Sequence, residues 1–92
     1  MKITTKSGFA LNLEKEVLDD WRIVEAIADA GSENDTTSQM KGAVELVRLV
    51  FKDQKKAYYD FISKANNGRV PNDIVNTDIV DIFEQLKEAK NS

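Results

Sequence analysis

The chain has 92 residues, of which 41% are hydrophobic and 32% charged, and a formal net charge of −3. This composition is typical of one small globular domain, so we expect residues 1–92 to form a single domain. The sequence contains no Cys and no His, which excludes a disulfide framework, a thiol or imidazole catalyst and the usual zinc site.

Two further features concern location. No apolar run approaches the ~20 residues that span a bilayer. The first residues, "MKITTKSG", lack the apolar stretch of a signal peptide. We therefore expect a cytoplasmic protein with no membrane partner.

Charge alternates along the chain. Residues 17–35 carry six acidic side chains and one arginine, residues 36–56 carry five basic and two acidic side chains, and residues 71–92 are acidic again. Such blocks favour contact between successive helices or between copies of the protein, whereas ordinary solvated helix faces are the simpler interpretation.

The first predicted element is a β-hairpin in residues 1–13. Ile3, Phe9, Leu11 and Leu13 alternate with polar residues. Ser7-Gly8 provides the small residues of a tight turn. The hairpin then has one apolar face that can pack on helices.

The second predicted element is a helix that begins near residue 17 and ends at Gly31. Asp19 and Asp20 suit its first turn, where the helix dipole favours negative charge. Ile23 and Ile27 form a second apolar stripe beside the main one. The main stripe, at helical spacing, consists of Val17, Trp21, Val24 and Ala28.

The next helix is predicted over residues 39–51, after a polar loop whose Ser, Asp or Thr residues can cap it. It is the most apolar helix, so we expect it at the centre of the fold. Leu46 and Leu49 lie beside its main stripe. That stripe consists of Met40, Ala43, Val44, Val47, Val50 and Phe51.

Two more helices complete the prediction. Asp53 can cap the first of these helices, and Asn67-Gly68 ends it. The inward side of this helix is predicted to carry Tyr58, Phe61, Ile62 and Ala65. Pro71 starts the last helix, and Thr77 can begin it again after one separate turn. The buried stripe of this helix consists of Val75, Ile79, Ile82, Phe83 and Leu86. The predicted fold class is mainly α (α+β): an N-terminal hairpin packed on about four short helices in residues 17–90.

No site for a metal or a phosphate emerges from the segment "NNGRVPNDIVNTDIVDIF". With Gly68 at the sixth position of a calcium loop, one ligand position survives and Ile74 replaces the glutamate. A phosphate loop needs several glycines between a strand and a helix. We therefore predict no metal and no cofactor.

The sequence also favours a protein without catalytic activity. Asp78, Asp81 and Glu84 recur on one side of the last helix, where a solvated acidic stripe is the simplest interpretation. Among the aromatic residues, Trp21 and Tyr58 fall on buried stripes and only Tyr59 is predicted to be exposed. One tyrosine on an acidic domain does not make a nucleic-acid platform, so we predict no nucleic-acid partner.

The positive functional signal is a surplus of apolar surface. A small helical layer does not easily bury two faces of each helix, so either the hairpin or a partner covers the second stripes. The predicted partner-binding residues are Ile23, Ile27, Leu46, Leu49 and Tyr59.

The order of several short motifs resembles the small tail assembly chaperones of long-tailed bacteriophages and prophages of Gram-positive hosts. The motifs span nearly the whole chain, and none is catalytic. They are "SGF", "LDDWRIVEAIA", "DQKKAYYDF", "GRVP", "IVDIFEQL" and the terminal "KNS".

The resemblance implies a mostly helical protein that coats the tape-measure protein in the host cytoplasm and keeps it soluble. The tail tube protein then displaces the chaperone, which is absent from the mature virion. A ribosomal frameshift in many such phages adds a C-terminal extension that recruits the tube protein. Self-association is compatible with the charge blocks.

Two alternatives remain open at this point. One is a structural phage protein that persists in the virion, such as a head–tail connector or minor tail component. The other is a small regulator that binds nucleic acid, which salt-sensitive DNA binding through a basic face on residues 41–56 would favour.

Overall fold

The computed structural model describes the backbone of residues 1–91 and the side chains of residues 1–89. Its elements confirm the predicted class, a two-stranded hairpin on a small set of helices. In chain order they are β1 (Lys2–Thr4), β2 (Ala10–Asn12), a 3₁₀ helix (Lys15–Leu18), α1 (Trp21–Ala30), α2 (Thr36–Phe51), a 3₁₀ helix (Lys52–Gln54), α3 (Lys55–Ala65) and α4 (Asn72–Asn91).

The hairpin is antiparallel and pairs Ile3 with Leu11. Both side chains are buried, because residues opposite each other on a strand pair point to the same face. The connection is longer than a two-residue turn: the Thr5 N–H donates to the Phe9 carbonyl and the Gly8 N–H donates to the Thr5 carbonyl. Gly8 has φ +104°, a conformation that residues with a side chain rarely adopt.

The predicted first helix is divided in two. A 3₁₀ turn carries Val17, the chain bends at Asp19, and α1 then begins with Asp20 as its N-cap. The Asp20 carboxylate accepts from the Arg22 N–H at 2.9 Å, which satisfies one of the free donors of the first turn. Asp20 therefore lies one position outside the helix rather than in its first turn.

α1 and α2 form an antiparallel helical hairpin with a very close crossing. A Cβ placed on Gly42 would lie 2.3 Å from the Ala30 backbone nitrogen and 2.6 Å from the Ala26 carbonyl oxygen. Only a glycine permits that approach, and Ala26 is the complementary small residue on α1. Asp35 caps α2, its carboxylate accepting from the Ser38 N–H.

The connections around α3 and α4 agree in part with the sequence. Asn67 (φ +58°) and Gly68 (φ +84°) end α3 in the left-handed conformation, and the Val75 N–H donates to the carbonyl of Pro71 at the start of α4. Three details were wrong. Phe61, which was predicted to face inward, is 39% exposed. Asp53 lies in a 3₁₀ turn and makes no cap, and α4 continues through Thr77 without a restart.

The core joins the hairpin to α2, α3 and α4. At its centre the ring of Phe51 stacks on Tyr58 at 4.1 Å between centroids, and Phe9 packs edge-on against Tyr58 at 5.3 Å. From α4 the core takes Ile79, Ile82 and Leu86, as predicted, with Val75 and Phe83 packed at its edge.

Candidate partner-binding surface

The structure places the five predicted partner-binding residues in two different environments. Ile23, Leu46 and Leu49 are buried, at 1%, 4% and 7% exposure, so the chain itself covers them and they are not open to a partner as predicted. The reason lies at the α1–α2 crossing. Leu46 and Leu49 follow Gly42 at helical spacing, on the side of α2 that meets α1.

The other two predicted residues reach solvent. Ile27 is 44% exposed on α1, and Tyr59 is 36% exposed on α3. Their separate helices give no reason to treat them as one site. Ile27, however, lies one turn after the buried Ile23 on the same side of α1.

The same change from buried to exposed occurs along α2. Val47 and Phe51 belong to the core, whereas Met40 and Val44, on the same stripe, are 65% and 64% exposed. On this side of α2, the rest of the chain covers only the end near Phe51. We call Met40 and Val44 the tip surface, because they lie on the part of α2 nearest the loop from α1. Gly42, between them in sequence, faces α1, so both side chains point away from α1.

A second exposed apolar stripe lies on the outer side of α1. Trp21 is 72% exposed and Val24 is 44% exposed, so the prediction that they face the core is wrong. α1 turns Ile23 and Ala26 inward instead, since the small side chains there permit the close crossing with α2. The sequence signal for this choice was the set of small residues Ala26, Ala30 and Gly42.

Charged side chains border these surfaces. Lys41 and Arg48 flank Val44 along α2 at spacings of three and four residues. Arg48 is paired with Glu45, whose pKa is lowered by the hydrogen bond from Arg48. Lys41 has no salt-bridge partner among the described residues. Its charge nevertheless contributes to the lowered pKa of Glu45, one turn further along α2.

A pair of charges also marks the start of α1. The Arg22 guanidinium donates to the Asp20 carboxylate at 2.7 Å, and this hydrogen bond lowers the pKa of Asp20 to about 2. The same contact raises the pKa of Arg22. Asp20 therefore stays ionised at neutral pH and serves its own helix.

A buried carboxylate lies elsewhere, between the hairpin loop, α3 and α4. Asp78 is 1% exposed and accepts from the Ser7 N–H at 2.9 Å, the Ser7 hydroxyl at 2.5 Å and the Tyr58 hydroxyl at 2.7 Å. The prediction of a solvated acidic stripe is therefore wrong for Asp78. The pKa of the Tyr58 hydroxyl is raised, mainly because the group is buried and secondly because it donates a hydrogen bond to Asp78.

An open cavity of about 460 Å³ lies beside this carboxylate, between the hairpin loop and the two helices. Asp73 and Lys6 are its other charged lining residues. Both Asp78 oxygens already accept hydrogen bonds from protein donors. The carboxylate therefore has a structural role: it links the hairpin loop to α3 and α4. The hydroxyl oxygens of Ser7 and Thr5 are 3.0 Å apart and hydrogen-bonded, so Thr5 belongs to the same network.

The described residues contain neither a membrane-spanning helix nor a cluster of metal ligands. No helix there is long and apolar enough to cross a membrane. The side chains that the structure describes also include no cluster of three or more potential metal ligands.

Comparison of the chain with protein families, with curated proteins and with solved structures found no match.

Proposed function

We propose that this protein is a tail assembly chaperone that binds the tape-measure protein and keeps it soluble until the tail tube protein surrounds it. The proposal begins from the resemblance in motif order, from "SGF" to "KNS". The single structural observation that supports it is the exposed part of the α2 stripe, Met40 and Val44.

Exposed apolar side chains at helical spacing suit a helical client. Single exposed apolar residues are normal on soluble proteins, but exposed apolar residues on successive turns of one helix favour a binding surface. A long, apolar and helical client can present one of its faces to such a surface. Trp21 and Val24 add a second apolar stripe on α1.

The test is co-expression with a fragment of a tape-measure protein from a related phage. We expect the fragment to remain in the soluble fraction and to copurify with the chain. A variant carrying Met40→Ser and Val44→Ser should lose the complex while remaining folded, because both side chains lie in solvent. If the fragment is insoluble with and without the chain, the proposal is wrong.

Two further measurements separate the proposal from its alternatives. A chaperone is absent from purified phage particles, whereas a connector or minor tail component is present in them. A nucleic-acid regulator would bind duplex DNA with an affinity that falls steeply as salt is raised.

A further inference from the structure

We infer that Asn67 is a site of spontaneous deamidation, and that the fold controls the rate of this reaction through the end of α3. The inference assigns a modification site and does not depend on the proposed function. Its basis is the sequence Asn67-Gly68, the one asparagine–glycine pair in the chain, together with the hydrogen bond that the Gly68 N–H makes.

Deamidation converts an asparagine to a carboxylate through attack by the next backbone nitrogen. The Gly68 nitrogen, after its proton has passed to hydroxide, attacks Cγ of Asn67 and closes a cyclic succinimide. The side-chain nitrogen takes up a proton and leaves as ammonia. Water then opens the ring, either at Cγ to give aspartate or at the main-chain carbonyl to give isoaspartate. A following glycine favours the attack because it has no Cβ to crowd the nitrogen.

The side chain of Asn67 is free to react. It is exposed, and it makes no hydrogen bond within the described residues. The neighbouring Asn66 differs in both respects: it is half-buried, and its side-chain amide donates to the Ile62 carbonyl at 2.7 Å. A Cβ added to Gly68 would meet nothing within 4 Å, so the turn is open to water and hydroxide.

The attacking nitrogen, in contrast, is held in place. The Gly68 N–H donates to the Ser63 carbonyl at 2.8 Å, in the left-handed turn that Asn67 (φ +58°) and Gly68 (φ +84°) form at the end of α3. A hydrogen-bonded backbone N–H gives up its proton only after that bond has opened. The rate of deamidation therefore reports how often the end of α3 frays, and it should be lower in the folded protein than in the unfolded chain.

Both products weaken the turn in which they form. Aspartate puts a negative charge at the C-terminal end of α3, where the helix dipole disfavours it. Isoaspartate routes the backbone through the former side chain and adds one methylene, which displaces the Gly68 N–H from the Ser63 carbonyl. This turn connects α3 to α4, and the Tyr58–Asp78 hydrogen bond joins the same two helices. Modification of Asn67 should therefore destabilise the packing of α4.

The experiment incubates the full chain at physiological temperature and mildly alkaline pH, folded in buffer and unfolded in guanidinium chloride. Intact mass and anion exchange follow the conversion, since each event adds one negative charge. Peptide mapping then locates the modified residue and separates aspartate from isoaspartate. Asn67→Gly is the matched control, because it removes the amide and tolerates the positive φ. Gly68→Ala is compared in the unfolded chain, where strain at its folded φ has no influence.

We expect Asn67 to deamidate in both samples, about ten-fold more slowly in the folded chain, the factor that corresponds to the net contribution of one hydrogen bond. Asn66 should remain unmodified in the folded chain. Asn67→Gly should abolish conversion at this position, and Gly68→Ala should slow it in the unfolded chain. The deamidated fraction, separated by anion exchange, should melt about 4 °C below the parent.

Three outcomes overturn the inference. The first is an Asn67 that stays unmodified in the unfolded chain. The second is equal rates of conversion with and without the fold, because the Ser63 hydrogen bond would then not control the reaction. The third is a deamidated chain that melts together with the parent, which would show that the turn does not contribute to the packing of α4.

Discussion

The hydroxyl of Tyr58 on α3 donates to the buried carboxylate of Asp78 on α4 at 2.7 Å. Removing the hydroxyl leaves an ionisable group in the core with one donor fewer. A hydrogen bond to a charged group contributes about 1.5–3 kcal/mol, so we expect Tyr58→Phe to lower the free energy of unfolding by about 2 kcal/mol. Urea denaturation measures the change. Tyr59→Phe, on the next and exposed residue, should stay within about 0.5 kcal/mol of the parent, and equal effects of the two variants would contradict the assignment.

Two valines on the α2 stripe test where the core ends. Val47 is buried and Val44 is 64% exposed, although they are three residues apart on one side of the helix. Val47→Ala removes buried methyl groups and leaves a cavity, so it should lower the free energy of unfolding by about 2 kcal/mol. Val44→Ala should change it by less than about 0.5 kcal/mol. If both cost the same, the core extends to the tip surface and that surface is not free.

Gly42 tests the close crossing of α1 and α2. A methyl group at this position would collide with the Ala30 backbone, and no rotamer change relieves a backbone clash. We expect Gly42→Ala to lower the free energy of unfolding by about 3 kcal/mol, which thermal and urea unfolding both detect. The control is Gly31→Ala. Gly31 has φ −91°, and its added Cβ comes no closer than 3.4 Å to its neighbours, so that variant should be nearly neutral.

Stability should fall at acid pH because Asp20, Asp35 and Glu45 all have lowered pKa values in the folded state. The causes are hydrogen bonds from Arg22, Ser38 and Arg48 respectively. A group with a lower pKa in the folded state stabilises the fold above its unfolded pKa and loses that contribution as the pH falls. For Asp20 the loss extends from about pH 4 down to about pH 2.

Melting temperatures recorded between pH 7 and pH 2 check this expectation. The midpoint should be nearly constant above pH 5 and should fall below pH 4. Asp20→Asn removes one contributor, so its melting temperature should depend less steeply on pH in that range. A parent curve that is flat to pH 2 would contradict the lowered pKa values.

The single tryptophan provides a direct optical test of the α1 orientation. Trp21 is 72% exposed, so its fluorescence should have the long-wavelength maximum of a hydrated indole and be quenched strongly by acrylamide. Trp21→Ala should change the free energy of unfolding by less than about 0.5 kcal/mol. A blue-shifted, protected emission in the free protein would show instead that Trp21 faces the core.

Much of the fold could be predicted where one periodic pattern had no competitor. α4 has one continuous apolar stripe, through Ile79, Ile82 and Leu86, and the hairpin has one apolar face that includes Ile3, Leu11 and Leu13. The break after α3 is equally local, because Gly68 adopts the positive φ that glycine tolerates.

The faces of α1 could not be assigned from periodicity, since its two apolar stripes fit a helix equally well. Tertiary packing decided between them: the Gly42 crossing draws Ala26 and Ile23 inward and turns Trp21 out. Of the five residues predicted to bind a partner, three are therefore buried, and Ile27 and Tyr59 are exposed.

The burial of Asp78 could not be predicted from the sequence for a related reason. It lies four residues before Ile82, on the buried side of α4, but its polarity favoured solvent. The three donors that make its burial acceptable come from Ser7 and Tyr58, which are 71 and 20 positions away along the chain. No local pattern contains that information.

The long separation between Ser7 and Asp78 also determines the order in which parts of the chain gain structure during synthesis. A two-stranded hairpin is marginal by itself, and here the groups that hold its loop, together with the Gln85 side chain that donates to the Thr4 carbonyl, belong to α4. The contacts between α1 and α2, by contrast, join helices that are neighbours in the chain, and such local contacts form early in folding. The hairpin is translated first, yet the side chains that hold its loop are translated last, so we expect its full stability to be reached only once α4 is in place.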